Sequence, residues 1–192
     1  MIYKSICIFM FIISLSVIIG HIIDNHTLTM WLSGGIEMTI ITALCFMFMA
    51  VMCYAILIHY DNSITRFLVI TISFILLFIV LILALILYLE MYLGNKSFIT
   101  NYLPAIPTVI LFLFASIKGM IYSFANKQIG LKIRLISFGS FAISILGFVQ
   151  YISEVSFIGL YYPSYNVGMS LITCVLSFLT VVVFMQIAKL QE

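Results

Sequence analysis

MTIITALCF, residues 38–46, places a Thr four positions after its Met and a Phe four positions after that Thr. The stretch opens a long apolar run. MSLITCVLSF, residues 169–178, repeats the Met–Thr spacing, and LPAIPTVILFLF, residues 103–114, lies midway with Thr108. Thr42, Thr108 and Thr173 are separated by 66 and 65 residues. Three regularly spaced copies of one helix start predict an internal repeat, and a repeat constrains the fold before any local feature does.

The repeat extends backward from each Thr. Asp24, Glu90 and Glu154 precede the three threonines by 18, 18 and 19 residues. Further back, SICIF at 5–9, TISF at 71–74 and SFGSF at 137–141 stand at matching positions. The unit is a helix, a loop and a second helix, with approximate boundaries 1–65, 66–131 and 132–192. Thr39 and Ser170 directly follow their Met and are suited to accept from backbone N–H groups of the next turn. Such a cap matters most where water cannot satisfy a helix end. The middle copy carries Pro104 and Pro107 instead, which remove donors rather than satisfying them.

Composition sets the surroundings. The 192 residues are 65% hydrophobic and 7% charged. A soluble domain cannot hide that much apolar surface, so lipid is the expected solvent. Six stretches are long enough to span a bilayer, about 2–23, 38–58, 67–89, 104–124, 133–152 and 167–188. The expected fold is all-α: a single polytopic membrane domain of six transmembrane helices, arranged as three repeated hairpins. Net charge is +2 without a basic cluster, so nucleic acid is not an expected partner.

Lys4, Arg66, Lys127, Lys132, Arg134 and Lys189 fall on one side, whereas Asp24, Glu37, Glu90 and Glu154 fall on the other. The positive-inside rule then predicts cytoplasmic termini and three external loops. The first apolar stretch has no small-residue cleavage pattern, so it is expected to remain as a helix. Cys7, Cys45, Cys53 and Cys174 lie inside apolar segments without CxxC spacing, as buried small hydrophobes do.

At this point the sequence resembles the N-terminal multi-helix membrane region of bacterial sensor histidine kinases and diguanylate cyclases. Those regions repeat a start of the form Met-Ser-Pro-x-Thr-Ala-Leu-x-Phe. MTIITALCFMF at 38–48 resembles it most closely; the second copy keeps Pro104, Thr108 and Phe112. GLYYPSYNVGMSLITCVLSF at 159–178 and LYLEMYLG at 87–94 resemble the family's last copy and second external loop. The resemblance implies a sensory module in the bacterial inner membrane, working through a cytoplasmic kinase or cyclase. KLQE closes this sequence, so it implies a free-standing version or the membrane part of a longer sensor.

No P-loop, HExxH or CxxCH motif is present, and no catalytic set can be assembled, so the expectation is a non-enzymatic protein without a cofactor. His21, Asp24, His26 and Glu37 have ligand chemistry but no fixed metal spacing, and interfacial polar residues are the plainer account. Met38, Met47, Met49, Met52, Cys45 and Cys53 spread over several helix faces, whereas a copper site needs one face. The candidate ligand-binding set is Asp24, Trp31, Glu37, Glu90, Tyr92, Tyr102, Glu154, Tyr161 and Tyr162 at the external side. The competing account of its aromatics is an interface belt. Lys118, inside the fourth run, is expected to snorkel to the cytoplasmic interface. Two alternatives stay open beside the sensor. One is a substrate-binding subunit of a vitamin-type transporter with an ATPase partner. The other is a structural subunit of a membrane complex, and a homo-oligomer is compatible with each.

Overall fold

The computed structural model describes residues 2–30, 37–59, 62–93, 104–124, 130–153 and 169–190, with the backbone alone at 87, 90–93, 150, 152 and 153. Its elements are α1 (Ile2–Ile22), α2 (His26–Thr29), α3 (Ile40–Ile58), α4 (Ser63–Leu93), α5 (Ile106–Phe124), α6 (Gly130–Ser153) and α7 (Leu171–Leu190). All but the four-residue α2 are long and apolar enough to cross a membrane. Helices suit this role because every backbone bond closes within the segment. The chain is an all-α, multi-pass integral membrane protein.

Three boundaries move outward from the sequence expectation. α4 runs through SITR at its start and EMYL at its end, both outside the expected stretch 67–89. Asn62 supplies the start: its Oδ1 accepts from the Ile64 N–H at 3.1 Å, and its carbonyl accepts from the Arg66 N–H at 3.0 Å. Past Glu90, nothing in EMYL opposes a helix; the first breaker is Gly94. Glu90 therefore lies within α4, three residues before its end at Leu93. α6 begins three residues before the expected stretch 133–152, so that GLKIR forms its first turns, where Lys132 is exposed.

The most extensive contacts pair α1 with α3, α4 with α5, and α6 with α7. These are the three hairpins. Between hairpins, α3 packs on α4, α5 on α6, and α7 on α1, so the arrangement closes into a ring. At least half of the spans of α3, α5 and α7 is enclosed, against about a third or less in α1, α4 and α6. The three helices that begin with a Thr start are the inner ones. Their outward-facing partners expose Phe67, Phe74, Phe78, Phe138 and Ile12, as lipid-facing surfaces do.

Phe46 of α3 and Phe112 of α5 meet edge to face in the core, with centroids 5.2 Å apart. Ser177, the corresponding residue of α7, is buried and donates to the Thr173 carbonyl at 2.7 Å. Ser14, Ser73, Ser137, Ser144 and Thr180 likewise bond to the carbonyl four residues before them. Each hydroxyl is thereby satisfied inside its own helix, so a small polar residue can face a neighbouring helix without an orphan donor. Gly119 marks a close approach of three helices. A Cβ there would overlap Ser73 Oγ of α4 and stand 2.9 Å from Met52 Sδ of α3.

Candidate functional site

The end of the bundle that carries the Thr starts is built from three similar caps. Thr39 Oγ1 accepts from the Thr42 N–H at 3.3 Å, and the two hydroxyls are 2.8 Å apart. At the start of α7, Ser170 Oγ accepts from the Thr173 N–H at 3.2 Å, again with hydroxyls 2.8 Å apart. In α5 the corresponding residue is Ala105. Its carbonyl takes over, accepting from Thr108 N–H at 2.8 Å and Val109 N–H at 3.1 Å. Thr42, Thr108 and Thr173 are all buried, each beneath the first turn of an inner helix.

The loop from α1 to α3 closes one side of this end. α1 stops when Asp24 enters the left-handed region at φ 54°, and Asn25 N–H reaches back to the Gly20 carbonyl at 2.8 Å. This is a Schellman-type ending with Asp where Gly is usual. Asn25 then caps α2, its Oδ1 accepting from Thr27 N–H at 3.0 Å. The His21 ring bonds the Met38 carbonyl through Nε2 at 2.7 Å, and Met38 N–H donates to the Thr29 carbonyl at 3.0 Å. His26 Nδ1 pairs with Glu37 Oε1. That hydrogen bond, and then the Glu37 charge, raise the His26 pKa above its ordinary value; Asp24 adds a smaller push in the same direction.

Asp24 and Glu37 therefore share one electrostatic neighbourhood around His26. Of the other expected ligand-binding residues, Glu90 and Tyr92 lie on the last turns of α4, where only the backbone is described. Trp31, Tyr102, Glu154, Tyr161 and Tyr162 lie outside the described residues. No group of three or more His, Cys, Asp or Glu is placed to hold a metal ion among the described residues. The His21 ring is committed to a backbone carbonyl, and His26 to Glu37.

A second constellation sits inside the bundle, and it corrects the expectation for Lys118. Its side chain does not snorkel to the interface but is buried at 1% exposure. Nζ donates to Ser140 Oγ of α6 at 2.8 Å and lies 4.3 Å from the centre of the Phe184 ring of α7. Ser140 in turn donates to the Ile136 carbonyl at 3.0 Å. Lys118 is the one buried charged side chain among the described residues. Its place on the helix decided the outcome: the face of α5 that carries it meets α6 and α7, not lipid. A usable signal was present in the register. Ten residues after Thr42 and Thr173 stand Met52 and Val183, and both are buried. Lys118 is the charged residue at the matching position.

No protein-family model, curated protein or solved structure matches the chain.

Proposed function

We propose that the chain is a non-enzymatic ligand-binding module of the bacterial inner membrane, of sensory type, that passes its state to a cytoplasmic partner. The observation that carries this reading is the placement of α7. It is the most enclosed span, packing on α6, α3 and α1, and it runs from a buried cap to Lys189 at the basic end. A repacking of the α1/α3 hairpin against α6/α7 bears directly on this helix, because it contacts α1 and α3 as well as its own partner α6. A ligand produces such a change only through unequal affinity for two packings.

The test is a fusion of a diguanylate cyclase after Glu192 with insertions of one to four residues at the junction. Each insertion rotates the output domain by about 100° relative to the bundle. Activity is expected to rise and fall with helical phase. Uniform activity across the series removes the sensory reading.

A transport reading is favoured by Lys118. An ionisable side chain inside the bundle is what substrate pathways commonly contain. In that case the chain is the substrate-binding subunit beside an energising ATPase, and uptake of a radiolabelled solute by cells expressing both is the readout.

A further inference from the structure

We propose that Lys118 is the anchor of a binding site for the carboxylate of a small or amphipathic acid, at the seam between the α4/α5 and α6/α7 hairpins. A charged ammonium inside a membrane bundle is expensive and is normally paired. All six acidic residues of the chain lie outside the apolar runs, and among the described residues no carboxylate pairs with it. What it has instead is one hydroxyl, Ser140 Oγ, and one ring face, Phe184. An ammonium has three donors. One is used by Ser140, and no other hydrogen-bond acceptor contacts Nζ among the described residues.

Packing alone does not call for the charge. Met52 and Val183, ten residues after their own threonines, fill the matching places with apolar side chains. Lys118 also sits at a seam between two hairpins, not within one. α5 and α6 belong to different hairpins, and their contact is less extensive than that within either hairpin, as at the other seams of the ring. Lys118 is six residues from the end of α5 at Phe124, about 9 Å along the axis. A carboxylate at this seam would accept from the two remaining donors. The apolar side chains around it, Phe184 among them, would hold its hydrocarbon part. An anion is selected because charge-assisted bonds are the strong ones and a neutral hydroxyl is already supplied.

The inference rests on the ligand-binding part of the reading above, not on signalling. The full chain in lipid nanodiscs is melted with increasing sodium acetate, sodium decanoate or decanol, alongside K118M. Decanoate or acetate is expected to raise the melting midpoint of the wild-type chain in a concentration-dependent way, while decanol does not. A response to acetate identifies a small free acid; a response to decanoate alone identifies an amphiphile. K118M, which copies Met52, is expected to fold and lose the carboxylate response, and K118Q serves the same purpose if K118M does not fold. No carboxylate response in the wild-type chain, an equal response to decanol, or a response retained in the variants each overturns the proposal. Carboxylate binding without phase-dependent output leaves this site standing and removes only the sensory reading.

Discussion

Replacing Ser170 with Ala should be the costliest single-atom change at the capped end of the bundle. The side-chain oxygen it removes has two partners, the Thr173 N–H at 3.2 Å and the Thr173 hydroxyl at 2.8 Å. Loss of an N-cap hydroxyl costs about 1 kcal/mol. A buried donor left unsatisfied adds about 1–3 kcal/mol, and Ser170 is 3% exposed. Because the Thr173 hydroxyl can rotate to another acceptor, we expect about 2–3 kcal/mol in total. Thr39→Ala removes the same pair of contacts from a part-buried site, where water relieves the orphaned groups, so about 1 kcal/mol is expected. Ala105→Ser, the converse change, should lie within about 0.5 kcal/mol of wild type, since Thr108 N–H already has the Ala105 carbonyl. The assay is equilibrium unfolding in mixed micelles, followed by far-ultraviolet circular dichroism. Equal costs for Ser170→Ala and Thr39→Ala, or a cost below about 0.5 kcal/mol for both, would refute the argument that these hydroxyls satisfy helix starts away from water.

Three further outcomes are expected. Hydrogen exchange at Thr27–Met30 should report the His26–Glu37 pair. The His26 pKa is raised in the fold, so its stabilising contribution is complete below about pH 6.5 and is lost as pH rises through the higher folded value; His26→Gln should remove that pH dependence, and a profile unchanged by the substitution would count against the pairing. Gly119→Ala should cost about 1–3 kcal/mol by overlap with Ser73 Oγ, and Gly119→Ala with Ser73→Ala should recover part of it in a double-mutant cycle; strictly additive costs would show that the two do not collide. Single cysteines at Asn95 and Asn126 should react with an impermeant maleimide from opposite sides of the membrane. The four native thiols are buried and need not be removed. Reaction of both from outside intact cells would overturn the orientation.

The helix starts were legible because capping is local chemistry. A hydroxyl three residues before the buried Thr is visible in the sequence, and Thr39 and Ser170 act as their types suggest. The ends of α4 were misplaced for a related reason. Polar residues in SITR and EMYL suggested breaks, but neither contains a residue that opposes helix, and Asn62 was an available cap. Lys118 was misread because snorkelling depends on which face of the helix meets lipid. That face is set by α6 and α7, far along the chain, and hydropathy along one run carries no information about it. The Asp24–Glu37 neighbourhood was visible only as proximity in sequence. That His26 would mediate it required the fold of α2 and the turn at Asp24.

Closure of the ring by α7 against α1 has a consequence for how the protein is made. The α1/α3 and α4/α5 hairpins can leave the insertion machinery in turn, each with its own partner. The inner faces of α1 and α3 stay unfinished until α7 arrives, since Met10 of α1 meets Thr180 of α7 across 170 positions. Contacts of such long sequence separation form late. A nascent chain arrested before residue 169 would present the buried faces of α1 and α3 to lipid or to other proteins. Surveillance proteases and insertion chaperones would meet that surface first, and the arrival of α7 would be the event that ends their access.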